Sequence, residues 1–345
     1  MFPFHTSHVF VLSVDGGGIR GVIPALILRE LEYRLQRRGR KRKPLHRFFD
    51  LVAGTSTGGL IALGLGAPRR TGAARGPVNR NTGLTPDELV DVYQRRGAEI
   101  FPRWKFNALR SVLQAFGDKY DAANLEQVLY DLFGDLTLQD ALTNVLVTSY
   151  DTERREPHFF KSWNSADGTE RDFFMRDVGR ATAAAPTFFE PAYITPVPDD
   201  GERFCLLDGA VIANNPALCA YVEAYKLFPH ARDFTILSIG TGSTVEGFDY
   251  EDIRNWGYLD WVSPVKGMPL SSMMTDAQSQ LVNHQLHKLP GLTYHRWNGP
   301  LTGCSEEMDD ASEENLAALR RFAYGVIEAN SEQIDAVCHE LQHRH

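Results

Sequence analysis

The sequence predicts an α/β protein on a mostly parallel sheet, and three observations carry that prediction. Apolar runs at His8 to Val14, Phe48 to Ala53 and Phe234 to Ile239 each stop at a glycine cluster. The first two clusters lead at once into residues at helical spacing, the strand, turn and helix alternation of a parallel sheet. The composition is that of an ordinary globular chain: 345 residues, 43% apolar and 23% charged. That is enough chain for one large domain or two of average size.

His8 to Val14 is β-rich and apolar, as expected of a strand buried on both faces. It runs into Asp15-Gly16-Gly17-Gly18-Ile19-Arg20-Gly21. Ile23, Leu26, Ile27, Leu31 and Leu35 then recur at helical spacing, with Pro24 near the start, where its missing N–H costs little. Glycines between a strand and a helix N-terminus leave backbone N–H groups beside the positive end of the helix dipole, so this turn suits an anion. Two readings follow. Gly16-x-Gly18-x-x-Gly21 matches the dinucleotide fingerprint, which would make the chain a nicotinamide or flavin oxidoreductase. That fold requires an acid about 20 residues on, where this chain has Lys41-Arg42-Lys43-Pro44. The other reading is an oxyanion hole.

The next element favours the oxyanion hole. The run from Phe48 stops at Gly54-Thr55-Ser56-Thr57-Gly58, and Leu60-Ile61-Ala62-Leu63 follows as a helix. This is the layout of a nucleophile elbow, whose tight turn lifts a serine above the sheet at a helix start. Ser56 is the candidate nucleophile, and a plain glycine-rich turn is the alternative. Residues 64–83, rich in Gly, Pro and Arg, are expected to form a loop, either a lid or a surface insertion.

Thr85-Pro86-Asp87-Glu88 is a capping box that opens a helix through Arg96. Helices are expected at Ala108 to Phe116, Ala123 to Phe133 and Phe173 to Ala184, and strands at Asn144 to Ser149 and His158 to Ser162. Arg203 to Leu207 is a short strand leading into Asp208-Gly209-Ala210, and Asn214-Asn215-Pro216 opens a further helix. An acid before Gly at a strand end also suits a simple turn. Three glycine-marked strand ends together with Asp208 nevertheless point to the upper edge of the sheet as the working face.

Trp256 to Met274, rich in Trp, Tyr, Leu, Met and Pro without regular periodicity, reads as core rather than as membrane contact. Leu316, Leu319, Phe322, Ala323, Val326 and Ile327, then Ile334, Val337, Cys338 and Leu341, mark amphipathic helices packed on the body. No linker is evident. Residues 1–345 are therefore read as one domain, with a core of about 8–242 and a packed tail over 243–345.

The net charge of −8 argues against general nucleic-acid binding. Tyr33 to Phe49 holds eight Lys or Arg and no acid, while Glu306 to Glu340 holds ten acids against Arg320 and Arg321. The basic run reads first as a solvated helix end and second as a contact for acidic lipid. Met1 to Val14 has neither a basic leader region nor a cleavage site, and no apolar run approaches the about 20 residues that span a bilayer, so a soluble cytoplasmic protein is expected. Cys205, Cys219, Cys304 and Cys338 are scattered and suggest neither a zinc site nor a disulfide framework.

A nucleophilic serine needs a base. In the order Ser, Asp, His, a triad could use Ser56, Asp208 and His284 or His287. No histidine has a local setting that marks it as a base, whereas Asp208 does. Asp15-Gly-Gly-Gly-Ile-Arg-Gly21, Gly54-Thr-Ser-Thr-Gly58 and Asp208-Gly-Ala210, in that order, resemble the three boxes of the patatin-like phospholipases. Ala181-Thr-Ala-Ala-Ala-Pro-Thr-Phe-Phe189 and Ile236-Leu-Ser-Ile-Gly-Thr-Gly242 resemble that family's supporting segments.

The resemblance spans about Val9 to Gly242 and implies a three-layer α/β/α fold. It implies a phospholipase A-type serine acyl-hydrolase with a Ser56–Asp208 dyad, no histidine, and no metal or cofactor. A carboxylate is a weak base at its ordinary pKa of about 3.9, so a desolvated site would have to raise it. Gly16, Gly17 and Gly18 would form the oxyanion hole, and Arg20 would meet a lipid phosphate or brace the loop. The implied partner is membrane phospholipid, met peripherally. Compact bacterial patatins switched by cyclic nucleotides in antiphage defence add a cyclic-nucleotide effector, which would open a gated site. The oxidoreductase, a Ser-Asp-His esterase and a non-catalytic lipid-binding module stand as alternatives.

Overall fold

The structure is a computed structural model that describes residues 7–38, 43–70, 76–102, 120–244, 247–263, 266 and 268–343. The helix expected at Ala108 to Phe116 lies outside these residues. The described strands are β1 (His8–Val14), β2 (Leu51–Thr55), β3 (Arg69–Arg70), β4 (Val78–Asn79), β5 (Asn144–Asp151), β6 (Glu156–Lys161), β7 (Ala192–Ile194), β8 (Phe204–Asp208), β9 (Asp233–Ile239) and β10 (Leu292–Trp297).

Eight of them form one sheet in the order β10-β9-β1-β2-β5-β8-β7, with β6 also paired to β5. The run from β10 to β5 is parallel. β6 and β8 pair with β5 antiparallel, as β7 does with β8, so one end of the sheet reverses.

Side-chain alternation along the central strand sorts the molecule into layers. Phe10, Leu12 and Val14 of β1 face a core shared with α1 (Val22–Arg38), α2 (Thr57–Gly66) and the helices Glu313–Ala329 and Ser331–Gln342. Val9 and Val11 face the Ala217–Leu227 helix and Leu286 on the other side. The result is the expected α/β/α sandwich. The tail is bound into it by Gln342, whose side chain donates to the Leu35 carbonyl at 2.7 Å, and by Arg34, which reaches Asp335 at 3.0 Å and Glu30 at 2.7 Å. Arg34, part of the basic run, therefore ties α1 to the last helix.

Four features depart from the sequence expectations. β10 was not foreseen, and it adds a parallel strand beside β9. The region 64–83 is not wholly a loop: α2 continues to Gly66, and β3 and β4 pair as a two-stranded ribbon. The capping box at Thr85 and Glu88 is present, but the helix passes through a wide π turn at Val92–Arg96 before ending at Gly97–Ile100.

The stretch from Trp256 to Met274 is not core. Tyr258 and Leu259 are 79% and 77% exposed, and its last residues already belong to an 18-residue helix, Pro269–Leu286. Composition alone suggested burial. The inner side of that helix meets the protein through polar contacts and through Pro269, Val282 and Leu286, while Leu270, Met273, Met274 and Leu281 are left outside.

Candidate active site

Ser56 stands between β2 and α2 with φ 54° and ψ −124°, a backbone conformation costly for any residue with a side chain. The turn closes because Gly54 and Gly58 lie in contact: a Cβ on Gly54 would run into the Gly58 carbonyl. Three threonines set the edge around it. Thr182 Oγ1 accepts the Ser56 N–H at 2.8 Å and donates to the Thr148 carbonyl at 2.7 Å. Thr55 Oγ1 donates to the Ala213 carbonyl at 2.6 Å and lies 2.7 Å from Thr148 Oγ1. At the start of α2, Thr57 Oγ1 meets the Tyr93 hydroxyl at 2.5 Å, and Tyr93 comes from the wide turn.

Asp208 reaches this edge from the opposite direction. β5 extends three residues past Thr148, the partner of Thr55, and β8 runs back along that extension until Asp208 pairs with Ser149. The Asp208 carboxylate accepts the Ala210 N–H at 2.8 Å and is hydrogen-bonded by the Ser56 side chain. Burial lifts its pKa to about 7, against the pull of these two hydrogen bonds. Ser56 is only 9% exposed and Asp208 only 2%.

The glycine loop lies against the serine, since a Cβ on Gly16 would stand 3.3 Å from the Ser56 Cβ. Gly16 N–H donates to the Asn214 carbonyl at 3.0 Å, and Thr241 Oγ1 donates to the Gly16 carbonyl at 2.6 Å. Gly17 and Gly18 N–H groups have no acceptor among the described residues. Gly18 has φ +58°, and a Cβ there would strike the Met308 carbonyl, which accepts the Ile19 N–H at 2.8 Å. Asp15, just before the glycines, is gripped by two Arg296 nitrogens at 2.8 and 2.5 Å. Desolvation opposes the Arg296 cation, but the Asp15 carboxylate outweighs it and holds the guanidinium above its ordinary range.

Arg20 is 5% exposed and directed into the protein, with Nη1 3.4 Å from the Glu306 carbonyl and no acceptor for Nε among the described residues. Burial works against its charge, while Asp276 and Glu306 support it. His284 and His287 are both exposed, and His287 Nδ1 lies 2.9 Å from the Asn283 carbonyl. Neither ring shares the buried setting of Ser56 and Asp208. Sequence reasoning missed Thr182, Thr241, Asn214, Tyr93, Arg296 and Met308. Thr182 and Thr241 lie in segments that carry the family resemblance, Asn214 in the run read as a helix start, and Tyr93 inside the helix expected through Arg96.

A family model, Patatin-like phospholipase, matches residues 12–221. Patatin-like protein 2 of Oryza sativa subsp. indica is 32% identical over 360 residues, covering 96% of this chain and 87% of that protein. Patatin-08 of Solanum tuberosum is 35% identical over 331 residues, covering 90% and 81%. Among solved structures, human GIVD cytosolic phospholipase A2 aligns with 98% of this chain and 60% of its own, at 9% identity and a TM-score of 0.47. With a family model over residues 12–221 and relatives at 32% and 35% identity across nearly its whole length, the chain belongs to the patatin-like phospholipases, a family of lipid acyl-hydrolases.

Proposed function

We propose that the chain cleaves fatty-acyl esters of phospholipids through Ser56 and Asp208. The observation that carries this reading is the Ser56 side chain bonded to an Asp208 carboxyl whose pKa burial has lifted to about 7. Ionised, Asp208 takes the Ser56 proton as Oγ attacks the ester carbonyl; protonated, it returns a proton to the departing alcohol. Water then attacks the acyl-serine and gives its proton to Asp208, which returns it to Ser56 Oγ as the fatty acid leaves. Of the three glycines considered, Gly16 is unsuited to the oxyanion because Asn214 holds its N–H. Gly17 and Gly18 are the donors, each worth about 2.7 to 4 kcal/mol in comparable sites. Arg20 braces the loop rather than meeting a phosphate.

The burial of both dyad members supports a further element: lipid reaches Ser56 only after a movement, for which a membrane surface or a cyclic nucleotide is the trigger. No described helix is long and apolar enough to cross a membrane, so the contact proposed is peripheral. Ser56→Ala and Asp208→Ala should each abolish hydrolysis of a dissolved ester with the fold intact, and only the parent should take a fluorophosphonate label. An unlabelled parent would return the oxidoreductase and the silent lipid-binding module to consideration. Substitution of His284 and His287 together should leave activity in place; its loss in a folded chain would favour a triad. Hydrolysis of dispersed phospholipid that is high from the outset, and unchanged by cyclic dinucleotides or vesicles, would remove the gate.

A further inference from the structure

The Pro269–Leu286 helix buries Pro269 and Leu286 and packs Val282 on the core, yet turns a second apolar stripe away from the protein. Leu270, Met273, Met274 and Leu281 are 47, 43, 55 and 56% exposed, and Ala277 is exposed between them. Counting from Leu270, these are positions i, i+3, i+4, i+7 and i+11, one stripe on a helix of about 3.6 residues per turn. Beside Pro269, Val282 and Leu286, the contacts toward the protein are polar. Asn283 Oδ1 accepts from Tyr294 at 2.7 Å and from Asn215 Nδ2 at 3.1 Å, Gln278 Nε2 reaches the Val211 carbonyl at 3.3 Å, and Asp276 lies within the field of Arg20. A helix that met only water on its outer face would show the reverse arrangement. Beside the stripe, Tyr250, Tyr258 and Leu259 are exposed, and Trp256 stacks edge-on between Phe248 and Trp261 at 5.2 and 5.1 Å.

An apolar surface of this extent marks a contact. It adjoins the catalytic edge, because Val211, three residues past Asp208, is itself exposed and receives Gln278. We propose that this stripe, with Tyr258 and Leu259, is the face by which the protein lies on a zwitterionic lipid surface. The inference rests on the acyl-hydrolase reading above, which requires substrate to arrive from lipid.

Three features select that occupant. Leu and Met suit the acyl region, while Tyr and Trp suit the headgroup boundary with an apolar body and a polar tip. Residues 247–281 carry five acids (Asp249, Glu251, Asp252, Asp260, Asp276) and two bases (Arg254, Lys266), and both bases are already paired, with Glu251 at 3.1 Å and Asp260 at 2.7 Å. A net negative flank is repelled by acidic lipid. The same flank also disfavours a second copy, because a two-fold contact would set like charges against each other.

Flotation with vesicles tests this, using the full chain carrying Ser56→Ala so that lipid is not consumed. Binding to phosphatidylcholine vesicles is expected, insensitive to salt, and weakened about tenfold or more by Leu270→Glu with Met273→Glu and Leu281→Glu. The same three substitutions with Ser56 intact should leave hydrolysis of a dissolved short-chain ester unchanged, which shows that the variant is folded. Equal flotation of parent and variant overturns the proposal. So does absence of binding by the parent, or binding that requires phosphatidylglycerol and is lost in salt. Loss of a dimer in the variant with unchanged flotation assigns the stripe to a second copy and also overturns it. A parent with Ser56 intact that floats on phosphatidylcholine but hydrolyses no dissolved ester supports the surface and overturns the Ser56 reading.

Discussion

Thr182 holds the backbone of Ser56 from 126 residues away, accepting its N–H at 2.8 Å while its own proton goes to the Thr148 carbonyl at 2.7 Å. The strained turn is thus fixed by a side chain on a neighbouring helix, with its second hydrogen bond anchored in the sheet. Thr182→Val keeps the shape but leaves the buried N–H without an acceptor, at a cost of about 1 to 3 kcal/mol. Urea unfolding should show that loss, ester hydrolysis should fall with it, and Thr182→Ser should recover most of both. A valine variant with parental midpoint and rate would show that the hydroxyl has no such role.

As the proposed base, Asp208 would act only when ionised, and burial lifts its pKa to about 7, so kcat/KM should rise through that pH and level off above it. Stability runs the other way. Unfolded, the group ionises near its ordinary 3.8, so between there and about 7 the folded chain keeps a proton that the unfolded chain has lost. The stability present at acid pH is therefore lost as pH rises through the folded value. Asp208→Asn should match the parent at about pH 4 and exceed it at about pH 8 by roughly 1 to 4 kcal/mol, with no hydrolysis. A parent more stable than this variant at the higher pH contradicts the assignment.

The buried Asp15–Arg296 pair fastens the glycine loop to β10. Arg296→Met alone strands a carboxylate in the interior and should cost about 3 to 5 kcal/mol. Adding Asp15→Asn should return part of it, read as the coupling in a double-mutant cycle of unfolding free energies. A double variant no more stable than Arg296→Met alone would mean that the pair is not coupled.

Gly18 combines φ +58° with a neighbouring carbonyl where a Cβ would go. Gly18→Ala should shift the loop enough to lower hydrolysis about a hundredfold or more, the scale of losing one oxyanion donor, while circular dichroism stays parental. Retained activity would place the oxyanion elsewhere.

The three boxes were legible in the sequence because each is a local backbone demand. A glycine is required where a carbonyl or the nucleophile comes close, and such demands leave their mark within a few residues. Arg296 left none: it follows His295 and precedes Trp297 in an unremarked run, and its partner Asp15 is brought near only because β10 joins β9, which joins β1. Tyr93 falls inside the helix expected through Arg96, and nothing in the sequence marks the wide turn that carries it. The Trp256 to Met274 stretch misled through its composition, which registers how apolar a segment is and says nothing of which way it faces. The place of Asp208 at a strand end was legible, but that its strand runs antiparallel to β5 could not be seen without the pairing.

The tail closes on the glycine loop twice, through Arg296 on Asp15 and through the Met308 carbonyl on Ile19. The arginine that fastens Asp15 lies 281 residues further along the chain. A chain stopped before Arg296 would carry Ser56 and Asp208 but an unset loop, and should take a fluorophosphonate label far more slowly than the 345-residue chain. Competence at Ser56 is thereby made conditional on the docking of a distant strand, β10, and of the segment that carries Met308.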